Sequence, residues 1–265
     1  MTILLNQNQI GLAEDAIIWR YMDIDKYISF IEKNALFFCR ADKFSDKHEG
    51  SIPAKEVEYR IQETRNSAAL FRKPFDEESA MKSSDGFKTV HQEIKKSTAI
   101  NCWHINKNES DAMWKLYMKC NRGVAVQSSA KRILKTIDET KEEIEMSKIR
   151  YIDYENDAWY HPVDFPYRNY SFTTAFRHKR IEFIHEQEFR LFHHIESVIN
   201  IDEYWDLQEN KNGKFIEINL VTLVDKIWLP PKVDKKTKAK IIDVTKDRGF
   251  DFQFVDSKLQ NDPLF

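Results

Sequence analysis

A thirty-residue stretch, Ser97 to Val126, most limits the folds open to this chain. It reads STAINCWHINKNESDAMWKLYMKCNRGVAV. An apolar strand over Ser97–His104 runs into a polar loop and then into a helix that Ser110 can cap. The Ser110 hydroxyl suits the orphan amides of a first turn, and Asp111 adds negative charge beside the positive helix end. Asn121-Arg122-Gly123 stops the helix, with Gly123 suited to a left-handed cap. Ala125 and its two valine neighbours open another strand. Two indoles (Trp103, Trp114), an imidazole (His104) and a carboxylate (Glu109) fall within twelve positions. Trp and Met at helical spacing usually pack a core. The same group would also serve as a binding wall, and both readings stay open.

The 265 residues suffice for a sizeable core. No linker rich in Pro, Gly or Ser interrupts them and glycines number six, so one domain over 1–265 is expected. Lys and Arg number 41 against 43 Asp and Glu. A net charge of −2 draws no nucleic acid globally, although a local basic groove stays open. Cys39, Cys102 and Cys120 show no C-x-x-C spacing and read as reduced core cysteines of a cytoplasmic protein. The opening MTILLNQNQIGLAED lacks a basic segment followed by a long apolar run, so no secretory signal is expected. No stretch reaches the roughly 20 apolar residues of a membrane span, so no membrane partner is expected.

In chain order, Ile17–Tyr21 reads as a strand that carries Arg20 and Tyr21 in an apolar run. Ile24, Tyr27, Ile28 and Ile31 mark one face of a helix, with Asp23 as cap and Asn34 as terminator. Leu36–Cys39 is a second strand. It delivers a loop, Arg40 to Gly50, with Arg40, Asp42, Asp46 and Glu49 around Phe44. That loop is either a solvated turn or a pocket border ordered by pairing of Arg40 with one of the carboxylates. Residues 53–96 read as two charged helices, an insertion or lid, broken at Pro74 and at Ser83-Ser84-Asp85-Gly86. The segment AKRILKTIDETKEEIEMSK reads as an exposed helix capped by Ser128 or Ser129. Ile149–Tyr154 follows as a strand, then an aromatic loop shaped by Pro162 and Pro166.

Residues 173–183 read as a short helix and Ile184–His194 as a strand. On such a strand Glu186, Glu188 and Arg190 share one face, with His185, Phe189, Leu191 and His193 on the other. Two carboxylates so close repel unless a cation lies near, and Arg190, Lys179 or Arg180 would supply it. A structural ion-pair ladder and a functional site both fit that pattern. Lys214–Leu220, Asp225–Leu229 and Phe252–Val255 read as strands. A helix capped by Asp234 and ended by Gly249 completes the scaffold.

Four blocks together resemble the bacterial family known as domain of unknown function 2971. They are WRYMDIDKYISFIEKNALFFCRADKFSDKHEG, CWHINKNESDAMWKLYMKCNRGVAV, KRIEFIHEQEFRLF and DKIWLPP with its following helix, and they span Ile17 to Leu259. The layout is similar to that of ADP-ribosyltransferases. It implies an α+β fold of mixed, mostly antiparallel sheets in a split-sheet core with flanking helices. It also implies NAD as substrate, no metal, and a macromolecular acceptor not named by the sequence, as in toxins and phage-defence effectors. Carried over by position, Arg20 would hold the small-molecule nucleotide, Glu188 would orient the ribose and Glu186 would activate the nucleophile. Tyr21, Trp103 or Trp114 would stack on the nicotinamide. Further substrate contacts would come from Arg40, Asp42, Asp46, Glu49, His104, Glu109, Lys179 and Arg190. The Ser-Thr-Ser of such enzymes is matched only in part, by Ser97-Thr98-Ala99.

Other readings stand beside this one. A non-catalytic ligand- or partner-binding module would use the same wall. A metal-dependent phosphodiesterase or nuclease would take Asp42, Asp46, Glu49 and Glu186 as oxygen ligands. A nucleophile at Cys102 is disfavoured, because a thiol mid-strand among apolar neighbours is inert. His178, His185, His193 and His194 read as surface or core residues. The sequence holds no G-x-G-x-x-G and no G-K-[ST], which excludes P-loop enzymes and Rossmann dehydrogenases.

Overall fold

The computed structural model describes residues 12–118, 122–159, 171–195 and 200–259. Three early strands, β1 (Ile17–Asp23), β2 (Ala35–Arg40) and β3 (Thr98–Ile105), meet at β3, whose apolar sequence is buried almost throughout. Along one edge β3 pairs antiparallel with β8 (Glu188–His194), from Thr98 opposite His194 to His104 opposite Glu188. Its other edge is shared. β1 takes one end, with Trp19 opposite His104, and β2 takes the other, with Cys39 opposite Ile100. The two strands therefore splay apart across Asn101–Trp103.

Outward from this hub, β4 (Gly123–Ser129) pairs with β1, and β10 (Lys226–Leu229) pairs with β4. β11 (Phe254–Asp256) runs parallel to β10. β9 (Gly213–Glu217) extends β2 and β5 (Glu145–Lys148) extends β8. A parallel pair, β6 (Arg150–Ile152) and β7 (His178–Arg180), forms a second small sheet. The fold is thus α+β, with a mostly antiparallel sheet and helices against it.

Helix α1 (Ile24–Lys33) connects the splayed strands. Asp23 accepts the Lys26 amide at 2.9 Å to start it, and Asn34 ends it in the left-handed conformation. Its Ile24, Tyr27, Phe30 and Ile31 stripe is buried, and Tyr27 Oη meets Thr245 Oγ1 of α8 (Lys235–Asp247) at 2.7 Å. Tyr27, Phe38, Trp103, Val126, Phe189, Ile227 and Ile241 belong to one apolar cluster that joins the sheet to these helices. Helices α2 (Ala54–Leu70) and α3 (Glu77–Ser97) pack on each other. The shorter α4 (Asp111–Tyr117), α5 (Ala130–Asp138), α6 (Ile201–Asp206) and α7 (Leu220–Leu223) complete the described helices. None is long and apolar enough to cross a membrane.

Several local expectations are corrected. The chain breaks near Pro74, and Asp76 caps α3, but Ser83–Gly86 lies inside that helix. One exposed Gly costs a helix about 1 kcal/mol, too little to end one supported on both sides. Gly123 begins β4 instead of capping α4, and an added Cβ there would come within 2.2 Å of the Met22 carbonyl oxygen. The helix after Ser129 stops at Asp138, because Met146 is buried opposite Leu191 in β5. Between 173 and 194 two 3-10 turns, Thr174–Arg177 and Ile181–Glu186, flank β7. Gln187, left-handed at φ 41°, delays the strand to Glu188. β9 ends at Glu217, and Leu220 opens α7, capped by Asn219. Cys120, Pro162 and Pro166 lie outside the described residues.

Candidate functional site

Side chains, not a strand, fill the base of the gap between β1 and β2. The Cys102 carbonyl accepts Arg20 Nη1 at 2.7 Å. The Phe37 carbonyl accepts Arg20 Nη2 at 3.5 Å and Asn101 Nδ2 at 2.9 Å. Arg20 thereby satisfies backbone groups left where the strands diverge. Burial lowers its hold on its proton, and among the described residues no carboxylate pairs with it. Here a cleft of about 790 Å³ opens, within the size range of small-molecule sites. Arg20, Tyr21, Trp103, His104, Glu186 and Glu188 line it, with Tyr117, Lys26 and the loop residues Lys43 to Ser45.

A chain of five buried ionisable side chains runs inward from one wall. Lys179 Nζ donates to Glu186 Oε2 at 2.9 Å and to Glu188 Oε1 at 2.6 Å. Arg190 donates through Nε to Glu188 and through Nη1 and Nη2 to Glu49, at 2.6 and 3.0 Å. Strand alternation puts Glu188 and Arg190 on one face, as expected. Glu186 reaches the same lysine through the turn at Gln187 instead. Glu49 arrives on the Arg40–Gly50 loop, whose last residue, at φ 64°, lies so close to Phe176 that a Cβ would sit 2.2 Å from the ring.

The two glutamates differ sharply in proton affinity. Burial pushes Glu186 up to about 7, helped by the hydrogen bond and charge of Glu188 and only partly offset by Lys179. Burial also acts to raise Glu188, but Arg190, the bond from Glu186 and Lys179 outweigh it and hold Glu188 well below the usual carboxylate range. The pair thus carries one proton, on Glu186, through the acid range.

His104 Nδ1 lies 2.7 Å from the Glu186 carbonyl oxygen, which requires a proton on Nδ1. Burial lowers the pKa of this imidazole, so the ring is neutral, and its buried Nε2 has no partner. Tyr117 is 38% exposed. Desolvation of its phenol, then the charge of Glu186, raises its pKa and keeps it protonated.

The cleft thus gathers six of the expected site residues, though not all in the expected roles. Trp103 is buried, with its indole N–H on Asn101 Oδ1 at 2.7 Å. Tyr21 packs edge-on against Trp114 at 4.9 Å, and its hydroxyl accepts the Ser110 amide. Trp114 lies outside the cleft lining and donates to Glu109, whose other oxygen accepts the Lys258 amide. These rings are core, whereas Tyr117 lines the cleft and is partly exposed. Tyr117 was not among the expected site residues. Its i,i+4 spacing from Met113, also in the cleft wall, is the signal that would have found it.

Lys179, Arg190 and Glu49 stand behind the wall. Arg40 pairs with Asp42 at 2.8 and 2.9 Å and lies over the Trp205 ring, so the expected internal pairing orders the loop that borders the cleft. Asp46 pairs instead with Arg180 at 2.9 Å. Asp42, Asp46, Glu49 and Glu186, the carboxylates a metal reading would use, each pair with a different base. Among the described residues no group of His, Cys, Asp and Glu is arranged to hold a metal ion. Cys102 is kept as the thiol, because burial pushes its pKa up.

The chain matches no family model, no curated protein and no solved structure.

Proposed function

We propose that this cleft binds NAD and breaks the bond between its nicotinamide and ribose, passing the ADP-ribosyl group to water or another acceptor. The protein is on this reading an ADP-ribosyltransferase-like enzyme, a transferase or glycohydrolase, and the resemblance of its four sequence blocks supports it. The observation that carries it is one cleft holding a guanidinium without a carboxylate partner and two carboxylates whose proton affinities are driven apart. Arg20, with Lys26 and Lys43 at the rim, meets the anionic diphosphate. Glu188, held ionised, stabilises the positive charge that builds on the ribose as its C1′–N bond breaks. Nicotinamide leaves neutral with the bonding electron pair. Glu186 takes the proton of the attacking hydroxyl as that oxygen bonds to C1′. The exposed Tyr117 ring lies against the departing base.

Nicotinamide release from NAD by the purified protein tests the reading. Turnover should rise with pH through about 7 as Glu186 loses its proton. Glu188→Gln should keep NAD binding and lower kcat about 100-fold or more. A fully active Glu188→Gln variant removes Glu188 from the mechanism. NAD bound by the wild type but never cleaved makes the cleft a binding module, and no binding at all ends the proposal.

A further inference from the structure

The charges behind the cleft wall balance only when the wall carries a proton. Glu49 and Glu188 supply two negative charges, and Arg190 and Lys179 supply two positive ones. Glu186 is the odd member. Protonated, it leaves the chain neutral; ionised, it adds a charge that the other four members do not offset, where all five side chains are less than one-tenth exposed. Burying such a charge is costly.

Every nitrogen of the Arg190 guanidinium has a partner. Nη1 and Nη2 go to Glu49, Nη1 also to the Phe176 carbonyl at 3.0 Å, and Nε to Glu188. Glu49 therefore decides how much of the Arg190 charge is left for Glu188. It does so from outside the cleft and from 141 positions away in sequence.

We propose that Glu49 is a positioning residue of the cleft: through Arg190 it keeps the buried charges balanced around one shared proton, and so decides whether Glu186 meets the ligand still carrying that proton or as the free base. This rests on Glu186 being the proton-carrying group of the proposed reaction.

The other groups packed around the pair do not take over that role. On β3, His104 is neutral and Cys102 keeps its proton. Tyr117 of α4 and Tyr151 of β6 stay protonated, and the Tyr151 hydroxyl accepts the Glu188 amide at 2.8 Å. Arg20 of β1 keeps its charge but turns Nη1 and Nη2 to the Cys102 and Phe37 carbonyls, and it forms no ion pair with either glutamate. The rim cations Lys26 and Lys43 pair with Asp23 and Asp42. His185, next to Glu186 in its turn, is exposed.

The test needs no NAD, so its failure is separate from failure of the proposed activity. In the full chain labelled with ¹³C at the glutamate carboxyls, the Glu186 signal, assigned through Glu186→Gln, is titrated by NMR. Its midpoint should lie near 7 in the wild type. In Glu49→Gln it should fall by about one pH unit or more, since ionised Glu186 then restores neutrality, while Glu49→Asp should return it toward the wild-type value. An unmoved midpoint in folded Glu49→Gln overturns the proposal. If that variant does not fold, Glu49→Met combined with Arg190→Met removes the pair whole and leaves the other charges balanced. Its midpoint should then stay near 7. A rise of about one unit or more would show that Glu49 had not been offsetting Arg190, and would equally overturn it.

Discussion

At the scale of single residues, the two glutamates pull stability in opposite directions as pH changes. The Glu186 pKa is raised from 4.5 to about 7 on folding, so its contribution is full below about 4.5 and is lost as pH rises through 7. Glu188 is depressed on folding, so its contribution is present above its unfolded value and is lost as pH falls. Glu186→Gln should therefore gain on the wild type between pH 4.5 and 8, by up to ~3 kcal/mol. Thermal melts at the two pH values check this, and an equal difference at both would contradict it. Glu186, Glu188 and Arg190 were legible as a group, because charges inside an apolar run must find partners. Glu49 was legible as a candidate site residue and a candidate partner of Arg40, but not as the partner of Arg190. Its partner lies on a strand far along the chain, and no local pattern encodes that pairing. Trp103 and Trp114 misled for the opposite reason: large rings signal a wall or a core equally well.

At the scale of elements, α1 could be read in full, since its apolar stripe, its Asp23 cap and its Asn34 terminator all agree. Ser83–Gly86 could not, because turn-forming residues also survive inside a long exposed helix. The distinction predicts opposite effects of one substitution. Gly86→Ala should stabilise by about 1 kcal/mol, since the site is helical and nothing lies within 4 Å of an added Cβ. Gly123→Ala should destabilise by about 1–3 kcal/mol, because the new methyl would meet the backbone of β1. Chemical denaturation of both variants measures the two signs. Matching signs would show that Gly123 is not there for close approach.

At the scale of the whole molecule, the α+β class and most strands were readable, but the splay of β1 from β2 was not. It arises from how β3 divides one edge between two partners, and that is a property of the assembled sheet. The same division bears on cooperativity. β3 touches β1, β2 and β8, so opening any one pairing leaves it held by the others. Its amides facing β8 should exchange with solvent only through global unfolding, whereas those of α2, a largely exposed helix, should exchange through local opening. Hydrogen exchange resolves the two, and equal protection would refute the contrast. Because the cleft is cut into β3 itself, site and sheet share one unfolding free energy. Any small molecule that occupies the cleft must then raise the melting temperature of the entire sheet in proportion to the logarithm of its concentration, so a thermal-shift screen of nucleotides and sugars reads the ligand directly from the fold.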